Sequence, residues 1–267
     1  MNAIAMRRLA SALVLPACLA LGACDIVTAD YRSQETSEWN KTYQLEPNGR
    51  VEIGNVSGKI IVHPSDGNTV EVHAVKRAKA ATSDAAKAAL DRVTINEDAT
   101  PSRVKIETKA QGVAGGLFSG SNVQVEYTVK VPANAEVRFT TVNGGIEVTG
   151  LKGRINLEAT NGGIRTQDVS GTLEASTTNG GLQIDLAQVP QGGVKLECTN
   201  GGIRLRLPKD AKATISARIM NGGVSASDLP IETTGETSRR RLDGKLNGGG
   251  PLIDINGMNG GISIGSR

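Results

Sequence analysis

Aromatic side chains are almost absent: one Trp, three Tyr and two Phe make up 2% of the 267 residues. A core filled with large rings is thereby excluded, and so is a surface of stacking platforms for bases or sugar rings. Histidine is scarcer still, with His63 and His73 as its two occurrences. Each falls at an outward position of a neighbouring strand, and no further Cys/His/Asp cluster stands beside them at ligand spacing. They read as solvated imidazoles, and neither a metal nor a cofactor is expected. An excess of one charge is missing as well. The 30 Lys+Arg and 27 Asp+Glu give +3; residues 1–23 hold Arg7 and Arg8 and no acid, so without them the count is 30 − 2 = 28 against 27, or +1. No basic excess remains to bind nucleic acid.

Long apolar runs are also few. The one at residues 9–23 follows Arg7 and Arg8, is too short to span a membrane comfortably, and ends in small residues, as a secretory signal does. It closes with Leu21-Gly22-Ala23-Cys24, which resembles the lipobox of bacterial lipoproteins. That resemblance implies that residues 1–23 are a lipoprotein signal peptide, cleaved before Cys24, with a diacylglyceryl and an N-acyl chain on Cys24. Such chains would hold the protein firmly, since each buried methylene contributes about 0.8 kcal/mol. Cys18 also follows a Leu-Pro-Ala, but Pro16 and the shortened apolar core make it the weaker site. With Cys24 acylated, Cys198 is the one thiol left, so no intramolecular disulfide holds the exported chain.

What the chain has instead is glycine, 33 residues of it, with Val, Ile, Leu and Ala as its apolar stock. Small branched side chains with Gly at fixed places point to thin, regular β-layers. Residues 24–40 are polar and read as a tether. From Tyr43 to Val75 the pattern alternates, with Val51 and Ile53, Ile60 and Val62, and Val70 and Val72 each on one strand face. Residues 81–92 break the alternation and predict a short helical insertion, capped by Ser83 or Asp84, with Ala85, Ala89 and Leu90 inward. Strands resume at 92–98, 103–109 and 122–132. Between the last two, residues 112–121 are a Gly/Ser-rich loop with Leu117 and Phe118 as possible anchors.

A repeat begins near Val131. Its punctuation is Asn143-Gly144-Gly145, Asn161-Gly162-Gly163, Asn179-Gly180-Gly181, Asn200-Gly201-Gly202 and Asn221-Gly222-Gly223, at intervals of 18, 18, 21 and 21 residues. An irregular segment at about 228–246, which holds the basic cluster Arg239-Arg240-Arg241, interrupts it. Asn247 and then Asn259-Gly260-Gly261 finish the series. Six before each Asn stand Val137, Ile155, Leu173, Val194 and Ile215; four before, Phe139, Leu157, Ala175, Leu196 and Ala217; two before, Thr141, Ala159, Thr177, Cys198 and Ile219. Three after come Ile146, Ile164, Leu182, Ile203, Val224 and Ile262; five after, Val148, Thr166, Ile184, Leu205, Ala226 and Ile264. The intervening columns are polar: Arg138, Asn156, Glu174, Lys195 and Ser216, and Glu147, Arg165, Gln183, Arg204 and Ser225. Each repeat is thus two short alternating strands around a turn, and stacking the repeats gives one core. The fold class expected is all-β: a single elongated β-solenoid, a right-handed β-helix with two short strands per rung of 18–21 residues, and one short helical insertion.

The Asn and Gly residues are structural turns, in which both tolerate positive φ and stacked Asn side chains can pair along the column. A phosphate loop would need a following helix, and strands follow here. Calcium-binding β-rolls would need Asp beside the glycines. Cys198 lies in an inward column, which argues for a buried core residue and not a nucleophile. No Gly-x-Ser-x-Gly elbow is present, and the outward columns mix signs without concentrating carboxylates.

Four stretches together resemble the bacterial putative-adhesin family of β-solenoid domains of unknown function. They are Asn-Val-Ser-Gly leading into a strand (55–60), Val-Pro-Ala-Asn-Ala-Glu-Val (131–137), the Asn-Gly-Gly-Ile rungs, and Leu-Asn-Gly-Gly-Gly-Pro (246–251). The similarity covers residues 41–267, which form the single folded domain. It implies an envelope-associated domain that is not an enzyme, with no defined catalytic residues. The expected function is that of a lipid-anchored, periplasm-facing cell-envelope protein. It would present a polar surface to an envelope protein or a polysaccharide, and contact the membrane through the lipid on Cys24. Two alternatives stand beside it: a periplasmic envelope-stress or assembly accessory lipoprotein, and a polysaccharide-active β-helix enzyme. Asp25 resembles an inner-membrane retention signal, which would make direct adhesion to other cells unfavourable.

Overall fold

The computed structural model describes residues 32–110, 121–235 and 238–267. The segment 1–23, Cys24, and the 112–121 loop up to its last residue fall outside them. Within the described residues the protein is all-β with one short helix. The chain opens with β1 (Ser33–Gln44), β2 (Arg50–Ser57), β3 (Ile60–Ser65) and β4 (Thr69–Ala80), then α1 (Ser83–Asp91), β5 (Val93–Thr100), β6 (Arg103–Ala110) and β7 (Ser121–Pro132). Val51, Ile53, Ile60, Val62, Val70 and Val72 are all buried, as their alternation predicts.

Two expectations for this part need correction. Residues 33–40 are not a tether. They begin β1, which pairs antiparallel with β4 along its whole length, Ser33 against Ala80 to Gln44 against Thr69. The strand escapes an apolar pattern because its inner face is only half-buried and carries Ser33, Glu35 and Ser37 before Trp39 and Tyr43 reach the core. In α1 the cap is Thr82, whose Oγ1 accepts from Ala85 N at 3.2 Å, and the inward residues are Ala86, Ala89 and Leu90, with Ala85 outside. Thr at this position satisfies a free helical N–H as well as Ser or Asp would.

The repeat region supplies β8 (Glu136–Asn143) and β9 (Ile146–Thr149), β10 (Ile155–Asn161) and β11 (Ile164–Val169), β12 (Leu173–Asn179) and β13 (Leu182–Leu186), and β14 (Val194–Asn200) and β15 (Ile203–Leu207). Then come β16 (Ala213–Ala226), β17 (Ile231–Thr233), β18 (Arg241–Leu246) and β19 (Leu252–Ser266). Every strand before an Asn pairs in parallel with its counterpart, Val137 with Ile155, Ile155 with Leu173, and Leu173 with Val194. Every strand after it does the same, Ile146 with Ile164, Ile164 with Leu182, and Leu182 with Ile203.

The order in space departs from the order in sequence at both ends. The last copy, β19, is not terminal: it lies between β14/β15 and β16, pairing Asn200 with Asn259 and Asn221 with Asn259. At the other end β2 and β3 pair with β8 and β9 on one side and with β6 and β7 on the other, so a later segment again lies outside an earlier one. The irregular 228–246 segment contains β17 and β18. β18 closes the stack by pairing antiparallel with β16, Ala213 against Leu246 to Arg218 against Arg241. Its inward positions are Leu242, Gly244 and Leu246, and the middle one has no side chain to announce a strand. Asn247 is a left-handed turn residue whose Nδ2 donates to Lys209 O and Ala211 O, and it stands apart from the other Asn residues.

The turn column explains the tetrapeptide. Each Asn donates through Nδ2 to the Oδ1 of the next, Asn161 to Asn143, Asn179 to Asn161, Asn200 to Asn179, Asn259 to Asn200 and Asn221 to Asn259, at 2.8–3.0 Å. The first Gly of each turn leaves no room for a side chain. A Cβ on Gly180 would lie 2.2 Å from Gly162 O, and one on Gly162 would lie 1.8 Å from Gly144 O. Positive φ is part of the reason at Gly180 (+155°), but Gly162 is not among the positive-φ glycines. There the close approach of stacked backbone is the whole constraint, not a left-handed conformation. The second Gly is looser, with 3.2 Å between a Cβ on Gly163 and Gly181 O.

Two residues before Asn179 and Asn200 the inward side chain serves this same corner. Thr177 Oγ1 donates to Gly162 O at 2.8 Å and Cys198 Sγ to Gly180 O at 3.4 Å. The other inward columns are buried throughout, except in β16, where Val224 is half-buried and Ala226 exposed. One continuous core runs from Leu45 to Ile264, and each Ile or Leu in it contributes about 1.5–3 kcal/mol by burial.

Gly180→Val should lower stability by about 3 kcal/mol or more, because rungs cannot move apart without breaking the ladder. In thermal unfolding this is a drop of roughly 6 °C or more; a midpoint within about 1 °C of the parent would contradict the close-stack assignment. Cys198, buried and donating to a carbonyl, should react with a thiol reagent slowly in the native protein and quickly in denaturant. Equal rates in the two states would remove it from the core.

Candidate interaction surface

Inward positions other than Val224 and Ala226 on β16 are used by packing, so the chemistry open to partners lies on the outward columns of the two strand stacks. On the stack that precedes the Asn turns, the charges pair with one another. Lys195 Nζ lies 2.9 Å from Glu197 Oε1 and 3.7 Å from Glu174 Oε1, Arg138 lies 3.9 Å from Glu158, and Arg50 lies 3.1 Å from Glu136. Asn156 Nδ2 donates to Glu174 Oε2 at 3.2 Å. The hydrogen bond from Lys195 to Glu197 holds the ammonium above its usual range. Glu158, Glu174 and Glu197, the carboxylates a hydrolase of this shape would call on, are each engaged in this way.

The stack that follows the turns differs. Arg165 on β11, Gln183 on β13, Arg204 on β15 and Ser263 on β19 form one row across neighbouring strands. Arg206 stands two residues beyond Arg204 on the same face, opposite Asp185. Asp185 and Asp168 are taken by Arg267, whose Nε lies 3.0 Å from Asp185 Oδ1, though without the alignment of a hydrogen bond. Glu147, the neighbour of Arg165 in the row, is held by Lys59 at 2.7 Å. Among the described residues Arg165, Arg204 and Arg206 therefore have no carboxylate partner, and all three are exposed. They line a shallow groove of about 280 Å³ with Gln167 and Gln183. A second trough of about 410 Å³ continues it past Arg204 and Ser263 to Gly223, over which Arg239 lies.

The sequence columns already placed Arg165, Gln183 and Arg204 outward together. Arg206 was missed, though the alternation Ile203-Arg204-Leu205-Arg206-Leu207 carries the signal. Arg267 could not have been placed, since its partners Asp168 and Asp185 lie far away in sequence. The cluster Arg239-Arg240-Arg241 is divided by the fold: Arg241 joins β18 and pairs with Asp243, while Arg239 O and Arg240 O accept from Val224 N and Ile219 N.

Other chemistry-bearing residues do not converge. His63 is exposed, and His73 Nε2 lies 3.6 Å from Glu38 across β4 and β1. Among the described residues no group of three or more His, Cys, Asp or Glu could hold a metal ion. Burial pushes the Cys198 thiol up, away from the thiolate a nucleophile requires. At the N-terminal end Tyr43 Oη donates to Glu97 Oε2 at 2.5 Å and Lys41 Nζ to Glu97 Oε1 at 3.2 Å, joining β1 to β5 across the seam. Burial, then the Glu97 carboxylate, raises the Tyr43 phenol, and the donated bond from Tyr43 lowers the Glu97 carboxyl. No helix of the described residues is long and apolar enough to cross a membrane.

Solved structures align with this chain, one of them above a TM-score of 0.5. A putative cell adhesion protein from Clostridium sporogenes aligns with 86% of this chain and 100% of its own at a TM-score of 0.51 and 15% identity. A putative adhesin from Bacteroides fragilis aligns with 86% of this chain and 97% of its own at 11% identity and a TM-score of 0.27. Among curated proteins none matches. Residues 116–265, more than half of the chain, match the family described as Toastrack DUF4097. By that match, the protein is a member of the Toastrack DUF4097 family, a repeat-like all-β fold.

Proposed function

We propose that the protein is a non-catalytic, lipid-anchored scaffold of the bacterial cell envelope that makes protein or polymer contacts through its flat strand faces. In this reading residues 1–23 are removed, Cys24 carries the lipid, residues up to about 32 are the tether, and the rest is one right-handed β-solenoid facing the periplasm. The observation that carries it is the form of the surface. The outward columns are regular rows of long polar side chains over shallow open grooves, and the carboxylates among them are bound to neighbouring cations or amides. Such rows suit an extended partner laid across several strands better than a small substrate held in a pocket. The similar Clostridium sporogenes structure, that of a putative cell adhesion protein, points the same way.

Lipid on Cys24 is the part most directly tested. In cells fed a labelled fatty acid, the parent chain should carry label and sediment with membranes, and Cys24→Ala should do neither. Parent protein recovered unlabelled in the soluble fraction would overturn the anchor.

A further inference from the structure

We infer that the arginine row on β11, β13 and β15 is a binding site for an acidic polysaccharide whose carboxylates are read by Arg165, Arg204 and Arg206. This rests on the reading of the strand faces as contact surfaces and names the ligand class of one of them.

The first observation is the contrast between the two faces. On the stack before the turns, the cations at Arg50, Arg138 and Lys195 each have a carboxylate within 4 Å. On the stack after the turns, Arg165, Arg204 and Arg206 have none, and the nearby acids are already engaged, Asp168 and Asp185 by Arg267 and Glu147 by Lys59. Three unpaired guanidinium groups on one rigid sheet form a positive patch on a chain that is otherwise almost neutral.

Geometry supplies the second argument. Adjacent strands stand about 4.8 Å apart, so Arg165 and Arg204, two strands apart, are separated by roughly 10 Å along the stack. Arg206 adds a third donor about 7 Å further along β15. Gln183 stands between Arg165 and Arg204, with Gln167 at the rim, so amide donors and acceptors alternate with charges. The groove continues past Ser263 towards Arg239. A polymer bearing carboxylates at intervals and hydroxyls between them matches both features: guanidinium forks take the carboxylates in paired hydrogen bonds, and the amides and Ser263 take the hydroxyls.

Composition decides among polyanions. Single-stranded nucleic acid would use stacking platforms for its bases, and no aromatic residue lines either groove; a duplex would call for a basic excess that this near-neutral chain lacks. An anionic membrane would favour apolar side chains beside the cations, ready to enter the lipid, and the outward neighbours here are Gln167, Gln183 and Ser263. A neutral glycan would be held mainly by rings. An acidic glycan needs none of these.

The test uses the detergent-solubilised full chain and polygalacturonate as probe, with polyglutamate, dextran and phosphatidylglycerol vesicles in parallel. The parent should bind polygalacturonate, weakening as salt rises, and should bind dextran not at all. The variant R165Q/R204Q/R206Q should lose about tenfold or more in affinity, while K195Q on the other face should bind as the parent does. Both variants are exposed, and unchanged circular dichroism would show them folded. Absence of polygalacturonate binding at low salt, or equal loss in K195Q, would overturn the site. Equal arginine-dependent binding of polyglutamate or of the vesicles would overturn the glycan assignment. A chain that sediments with membranes yet ignores polygalacturonate would reject this ligand and leave the envelope reading standing. Glycan binding by a chain that carries no lipid would do the reverse.

Discussion

At each corner of the stack two backbones pass so closely that one added carbon would collide with a carbonyl oxygen, and the remainder of the structure follows from that approach. A Cβ on Gly201 would lie 1.6 Å from Gly180 O, and one on Gly260 would lie 2.0 Å from Gly201 O. The contact lets the parallel backbone ladder run through the turn, with Gly162 N donating to Asn179 O at 2.8 Å and Gly180 N to Asn200 O at 2.9 Å. Once the corners are in register, the Asn side chains come within hydrogen-bonding reach and the inward residues of each rung fall over those of the next. Their burial contributes most of the stability. The glycine column determines which residues are buried together, since a slip by one residue would turn every inward column outward.

Stacked rungs leave two open ends, each a row of unpaired backbone groups that could recruit another chain. Antiparallel strands drawn from outside the repeat cover these ends: β18 lies on the first part of β16, Ala213 to Arg218, while β4, β1 and β5 close the N-terminal side. The out-of-order placement of β19 belongs to the same solution. Because β16 is outermost and β19 returns to the slot beside β14 and β15, the segment between them is free to form the covering β18. The seam between β1 and β5 is bridged by Lys41 and Tyr43 on Glu97, where the strands themselves do not pair, and just beyond it Glu46 N donates to Pro101 O at 2.7 Å.

Much of this was legible in the residues. The inward columns from Val137 to Leu205 depend on spacing alone, so the periodicity assigns each residue its neighbours. It does not assign the slot of β19, because Ile262 and Ile264 satisfy an inward column equally well beside Leu205 or beyond Ala226. Nothing local distinguishes the two positions; the choice is made by what must cover β16. β1 was hidden for another reason: its inner face is half-solvated, so selection for apolar residues is weak until Trp39 and Tyr43. Of the arginine row, the members at the repeat's own column were visible, whereas the engagement of Asp168 and Asp185 by Arg267 is a contact between distant segments that no periodicity encodes.

The outward rows obey a different rule from the inward ones. An exposed ion pair contributes about 0–1 kcal/mol, and many contribute nothing measurable. The pairing of Lys195 with Glu174 and Glu197 is therefore not what holds the rungs together, and the lack of pairing at Arg204 does not endanger them. The fold tolerates either arrangement on either face. A face whose cations are neutralised in place offers a partner little net charge, because any new contact must displace an existing one. A face whose cations are left unpaired offers its full charge at no such cost. The difference between the two stacks thus lies outside what stability requires, and it is on the second that recognition of a charged partner gains most.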